Sequence, residues 1–168
     1  MCARVYVGTY AKYNSGSIAG QWLNLEDYTD RNSFYEACAK LHKKEHDPEF
    51  MFQDYEGFPK AFYSESNISD AVWDWLELDD SDRELLAVYQ EHVDQNGTID
   101  NARDAFMSTA DNESDWAAQW LEETGGLEGC PEHLRNYIDY EAYARDARLG
   151  GDVVFARHEG TLWVFSNN

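Results

Sequence analysis

Apolar and other residues alternate at the start of the chain. Val5, Val7 and Thr9 share one parity and Tyr6 and Gly8 the other, the period-two pattern of a half-buried strand. Asn14, Gly16 and Gly20 punctuate the next stretch, and Ile18 to Leu25 reads as a partner strand. Ser33 and Glu36 have capping-box spacing, and Phe34, Ala37, Cys38 and Leu41 recur at helical spacing. Phe50, Met51 and Phe52 predict a third strand, ended by the turn-rich Gly57-Phe58-Pro59. Residues 1–60 therefore read as a small α+β module.

The period changes over residues 61–128, where four short helices are expected. Ile68, Val72, Trp75 and Leu76 follow the i, i+4, i+7, i+8 pattern of the first. Ser81 opens the second, with Glu84 at the capping-box position and Leu85, Val88, Tyr89 and Val93 as its apolar stripe; Asn96-Gly97 ends it. Ile99, Ala102 and Phe106 mark the third. Trp116, Ala117, Trp120 and Leu121 mark the fourth, closed by Gly125-Gly126. In residues 129–168, Pro131 opens a helical stretch toward Leu149, and Gly150-Gly151 breaks it. Val153–Ala156 and Leu162–Phe165 then form a hairpin around His158-Glu159-Gly160. The expected fold class is α+β in three small modules: an N-terminal sheet plus helix, a central acidic helical bundle, and C-terminal helices plus a β-hairpin.

Composition narrows the functional classes. With 43% hydrophobic and 15% aromatic residues, wholesale disorder is excluded. Acids number 33 against 13 Lys plus Arg, a formal charge of −20, which is the opposite of a phosphate-binding footprint. No direct contact with nucleic acid is expected. Residues 1–60 and 129–168 each carry a net −2, while residues 61–128 hold eighteen acids against Arg83 and Arg103, a net −16. That block also contains Phe62, Tyr63, Trp73, Trp75, Tyr89, Phe106, Trp116 and Trp120, too many aromatics for a solvating tail. The longest uncharged stretch, Tyr13–Leu25, is too short and polar to cross a membrane. The first ten residues lack the apolar region of a signal peptide. A cytoplasmic location is the expectation. Cys2, Cys38 and Cys130 are an odd set without CxxC spacing, so free thiols are expected rather than disulfides or structural zinc.

The eighteen acids are Glu65, Asp70, Asp74, Glu77, Asp79, Asp80, Asp82, Glu84, Glu91, Asp94, Asp100, Asp104, Asp111, Glu113, Asp115, Glu122, Glu123 and Glu128. Like charges three or four residues apart on a helix repel, and interspersed bases would relieve that repulsion. Their scarcity points away from a surface made only for solubility. Carboxylates about 5–6 Å apart on a helix face form a line of negative charge comparable to DNA phosphates, about 3.4 Å apart along one strand. The residues thus point to an imitation of nucleic acid; the rival is a generic acidic partner for basic proteins. Other chemistries fit less well. Residues 92–103 approach a calcium loop, but His92 and Arg103 stand where acids are required. Cys38, His42 and His46 recur every four residues; zinc is one use for such a set, and a core Cys38 with the histidines on a solvated end is the simpler reading. Neighbouring acids such as Asp79/Asp80 and Glu122/Glu123 do not supply the separation that glycoside hydrolysis needs. GxSxG, GxxxxGK[ST] and HExxH are absent from the sequence. No enzyme, catalytic residue, metal or cofactor is expected.

Three motifs carry a resemblance. Val5-Tyr6-Val7-Gly8-Thr9-Tyr10, Lys12-Tyr13-Asn14 and Gly16-Ser17-Ile18-Ala19-Gly20-Gln21-Trp22 resemble the N-terminal signature of the ArdA antirestriction proteins. Met51-Phe52-Gln53-Asp54-Tyr55-Glu56-Gly57-Phe58-Pro59 resembles the family's second block, and Leu134 to Leu149, with Tyr140-Glu141-Ala142-Tyr143-Ala144-Arg145-Asp146, its C-terminal antirestriction motif. Ile138 stands where an aromatic residue is expected. The middle block matches in acidity rather than residue by residue. The resemblance implies an elongated homodimer of three-module α+β chains that mimics bent B-form DNA. It implies inhibition of type I restriction–modification enzymes on behalf of plasmids, transposons or phages in a bacterial host. It places Tyr137, Tyr140, Tyr143 and Arg145 as dimer-contact candidates, with ordinary core packing of the tyrosines as the alternative.

Overall fold

A computed structural model describes residues 2–167; Met1 and Asn168 lie outside them. The fold is α+β, with N-terminal strands and a helix, central helices, and C-terminal helices with a hairpin. It divides into two units, Met1–Asp79 and Asp80–Asn168. The acidic block 61–128 is shared between them and is not one packing unit.

In the first unit, β1 (Arg4–Thr9) runs into a short helix, α1 (Tyr10–Asn14), and pairs with β2 (Gln21–Asn24). Helix α2 (Arg31–Leu41) leads to β3 (Phe50–Glu56), which pairs with the other edge of β1. The antiparallel sheet has the order β2-β1-β3. Its register skips Gln53 between Tyr6 and Val7, a bulge in β3. Val5, Val7 and Phe52 bury one sheet face against Phe34 and Cys38 of α2. Residues 61–79 complete this core: the two-residue strands β4 (Tyr63–Ser64) and β5 (Asn67–Ile68) pair, and α3 (Ala71–Leu76) buries Val72 and Trp73 beside Phe34.

Three sequence expectations change here. Helix α2 starts earlier than the Ser33/Glu36 box: Asp30 accepts the Ser33 N–H at 2.8 Å and Ser33 answers the Asp30 N–H, closing the box one turn sooner. The Ser33 N–H, donated to the carboxylate, holds the exposed Asp30 carboxyl below the usual carboxylate range. Ile68 pairs as a strand and is fully buried, so the following helix shrinks to Ala71–Leu76. The partner strand expected from Ile18 shrinks to Gln21–Asn24.

The second unit has a sheet covered on both faces. Helices α4 (Asp80–His92) and α5 (Ile99–Ala105) precede β6 (Phe106–Ala110). Then come α6 (Glu113–Glu123), α7 (Glu132–Arg135), α8 (Tyr140–Gly150), β7 (Val153–His158) and β8 (Thr161–Ser166), with sheet order β6-β8-β7. Leu162 and Val164 join Trp116, Ala117 and Ala144 in one core. Trp163 and Phe165, of the other parity, join Leu85, Val88, Tyr89 and Ala102 in a second. The strands are thus apolar on both sides. Phe106, expected at the end of a helix, opens β6 opposite Phe165. The helical stretch expected from Pro131 to Leu149 is interrupted: Asp139 accepts the Ala142 N–H at 2.8 Å and starts α8 afresh. Gly151, left-handed at φ 83°, ends α8 as expected.

His42, expected on a solvated end, is only 2% exposed. Lys12 Nζ lies 2.6 Å from its Nδ1. An ammonium can only donate, so Nδ1 accepts, and Nε2 carries the hydrogen given to the Val7 carbonyl at 3.2 Å. Burial pushes the His42 pKa below its ordinary value and the Lys12 charge adds to this, against the Val7 carbonyl and Glu45. The unfolded chain therefore binds the proton more readily. His42's contribution to stability is complete above the ordinary value of 6.5 and is lost as pH falls from there through the lowered folded value. His42→Gln should cost about 1–3 kcal/mol at neutral pH, because buried partners lose hydrogen bonds. The gap in thermal midpoint between wild type and variant should narrow as pH falls below about 6.5; a constant gap would contradict the neutral, buried imidazole.

Candidate functional site

Helix geometry sorts the acids. At about 100° and 1.5 Å per residue, Asp80, Glu84 and Glu91 of α4 fall within about 40° of one another, at about 0, 6 and 17 Å along the axis. The buried Leu85, Leu86, Val88 and Tyr89 take the other side. Asp82 falls with them, about 200° from Asp80; it is half-buried and paired with Arg103. Helix α6 repeats the arrangement. Asp115 and Glu122 lie about 20° apart and about 10 Å along the axis, opposite Trp116 and Ala117. Glu113 falls on the apolar side, is half-buried, and lies 3.7 Å from Arg148. In both helices the acid turned toward the core is paired with an arginine from another element, Arg103 or Arg148, whereas the outward Asp80 meets Arg83 of its own helix.

The other sixteen candidate acids are exposed. Asn112 starts α6 by accepting the Asp115 N–H at 2.9 Å, which also seats an acid in the first turn, where the helix dipole favours it. Asp94 lies at the turn after α4 and accepts the Asn96 N–H at 3.0 Å. Asp100 and Asp104 stand on α5, Asp111 follows β6, Glu123 ends α6 and Glu128 lies in the loop beyond. Glu65, Asp70, Asp74, Glu77 and Asp79 belong to the first unit, where Asp70 lies 3.7 Å from Arg31. Arg83 and Arg103 are engaged locally, by Asp80 at 3.9 Å and by Asp82 and Asp100. The first unit holds 14 acids and 7 bases, a net −7; the second holds 19 and 6, a net −13.

The four contact candidates near the C-terminus have different surroundings. Tyr137 is 83% exposed. Tyr143 is 38% exposed and stacks on Trp116 with centroids 6.4 Å apart. Tyr140 is half-buried against the core, and Arg145 is exposed. Leu134 and Leu149 are exposed as well, at 45% and 71%. From the sequence, Leu149 reads as the helix end rather than as surface; an apolar residue directly before Gly150-Gly151 is the signal that marks it.

Possible metal ligands fall elsewhere than the helical Cys38/His42/His46 set. Cys38 is fully buried with its thiol pushed up to about 12 by burial, and His42 is engaged with Lys12 and Val7. Glu84, His158 and Glu159 bring one ligand atom each within 4.8 Å of one another at the turn between β7 and β8. Among the described residues no helix is long and apolar enough to cross a membrane.

The model of the antirestriction protein family, ArdA, matches residues 5–160, nearly the whole chain. No curated protein matches.

Repulsion within the acidic surface should appear in the stability. Two carboxylates about 6 Å apart in water repel by about 0.7 kcal/mol, and raising salt from about 0.01 M to 0.15 M shortens the screening length from about 30 Å to about 8 Å. The thermal midpoint should therefore rise with NaCl over that range. A steady fall in a salt series by calorimetry would contradict the repulsion.

Proposed function

The chain belongs to the ArdA antirestriction family, and from that premise we propose that it inhibits type I restriction–modification enzymes by occupying their DNA-binding groove. Lysines and arginines of that groove pair with the carboxylates in place of phosphates, and opposite fields steer the two together. The observation that carries the reading is the sorting of acids on α4 and α6. Carboxylates gather on the sides away from the cores, and the block's own arginines are used on core-side or adjacent acids. Inhibition is stoichiometric and requires no bond-making by this chain. Because the α6 and α4 acids sit on helices anchored by buried side chains, their spacing does not have to be organised at the moment of binding.

The protein acts as a homodimer in this reading, with the C-terminal motif at the contact. Tyr137, Leu134 and Leu149 supply exposed apolar surface there, and Tyr143 and Arg145 flank it on α8. Tyr140 contributes by packing α8 onto its own core.

Reversing one exposed acid, as in Asp74→Lys, should weaken inhibition of a type I enzyme only a few-fold, since an exposed pair contributes about 0.2–1 kcal/mol. Reversing Asp115, Glu122 and Glu123 together should weaken it on the order of 100-fold. Binding should also weaken as salt rises, opposite to the stability. Equal affinity for unrelated basic proteins would replace this reading with that of a generic acidic partner. For the dimer, Tyr137→Ala combined with Leu149→Asn should move the mass measured by light scattering from two chains toward one. An unchanged dimer would place the contact elsewhere.

A further inference from the structure

A recess of about 410 Å³ opens in the first unit, between β1, the segment after α1, and β3 with β4. Its lining includes Tyr6, Tyr13, Ile18, Met51, Tyr63 and Glu65. Two of the aromatic walls are held in place. The Tyr6 hydroxyl donates to the Ile18 carbonyl at 3.0 Å and accepts the Gly20 N–H at 3.1 Å. Gly20 itself presses on β1: a Cβ there would lie 2.3 Å from the Val7 carbonyl oxygen. The Tyr63 hydroxyl donates to the Phe52 carbonyl at 2.6 Å, and its ring stacks on Tyr55 with centroids 4.2 Å apart. With both hydroxyls engaged by backbone, these rings chiefly offer a visitor their π surface. The rim is apolar and unusually exposed, with Tyr13 at 52% and Ile18 at 73%.

The recess is also negative. Glu65 is exposed at its edge. Burial raises the Tyr63 hydroxyl's pKa, and the charges of Asp54 and Glu65 raise it further. Burial likewise raises that of Tyr10, with Glu65 and then Glu49 adding to it. Among the described residues, no Lys, Arg or His lines the recess. Fixed π faces, one carboxylate and no competing cation suit a flat cation. Lysine's ammonium is compact and strongly hydrated, whereas guanidinium is planar, weakly hydrated and stacks on aromatic rings.

We propose that this recess receives an arginine side chain of the protein captured by the acidic surface, its guanidinium against the tyrosine rings and its N–H groups on Glu65. The inference rests on the proposed function and adds to it a contact of a different kind. A carboxylate line is read by charge alone and fades with salt. A stacked, partly desolvated guanidinium depends less on salt, so it anchors the complex where screening has weakened the rest.

The test measures binding to a type I restriction enzyme across a NaCl series. Tyr13 and Ile18 are exposed and α1 buries no residue, so Tyr13→Ala/Ile18→Ser should keep its thermal midpoint. It should bind about 3- to 30-fold more weakly, by a similar factor at every salt concentration. Asp115→Lys/Glu122→Lys/Glu123→Lys should instead flatten the salt dependence. If the acid variant weakens binding while the rim variant matches wild type, the recess proposal is overturned and the polyanion reading stands. If neither variant changes binding, both fall. As a measurement free of the enzyme, L-argininamide should shift the tyrosine resonances of the wild type more than L-lysinamide at equal concentration, and Glu65→Gln should reduce that shift. Equal shifts from the two amides would overturn the choice of arginine.

Discussion

Carboxylates held close together repel, and repulsion spreads them unless something stronger fixes their positions. In this protein the fixing element is the buried apolar side of each short helix. Leu85, Val88 and Tyr89 tie α4 to Phe165 and Ala156 of the sheet, and Trp116 and Ala117 tie α6 to the opposite face. Each fully buried large side chain contributes about 1.5–3 kcal/mol relative to exposure, against a few tenths for each like-charge pair on a helix. The balance favours rigid placement of the acids by a wide margin. It also gives the aromatic residues of the acidic block a role: Trp73, Tyr89 and Trp116 are buried in the cores that hold a block of net charge −16 in 68 residues in place.

The division at Asp79 follows from the same constraint. Helix α3 has six residues, too few to bury a stripe against other short helices, and its Val72 and Trp73 join the N-terminal core, with Trp73 beside Phe34 of α2. Helices α4, α5 and α6 find the C-terminal sheet instead, because its strands are apolar on both faces. The charge density that makes residues 61–128 look like one module is a property of the surface. Packing follows the apolar residues, and these divide the block between two cores.

Much of this was legible in the sequence. The alternation in Val5–Thr9 and the hairpin around Glu159-Gly160 are local patterns, and both became strands. The i, i+4 stripes of α4 and α6 likewise became helices with the acids largely outward. What was not legible depends on partners far along the chain. Ile68 fits a helical stripe by spacing, but β4 lies beside it and Tyr35 reaches its N–H at 3.4 Å. Phe106 fits the end of a helix until Phe165 is known to lie opposite. His42 reads as a surface residue among lysines, and only the Val7 carbonyl and the Lys12 ammonium, both from the chain's first strand and helix, make it a buried neutral imidazole. The acids were legible as a class. Which two would turn inward was not, because Asp82 and Glu113 are distinguished by their arginines, 21 and 35 residues away.

A surface that imitates phosphates by charge alone has a weakness in its own physics. The salt that relieves the repulsion among its carboxylates also screens its attraction for a basic groove, so stability and affinity move in opposite directions. DNA meets the same screening, and a competitor with only the same electrostatics gains nothing over DNA as salt rises. A protein surface has a resource that a phosphate backbone lacks: fixed apolar and aromatic side chains next to the charges. The exposed rim of Tyr13 and Ile18, beside rings held by Tyr6 and Tyr63, places such a resource within the first unit, whose net −7 is milder than the second unit's −13. In the proposed reading the more acidic unit captures at long range and the less acidic one anchors at short range, a division of labour that a uniform polyanion cannot make.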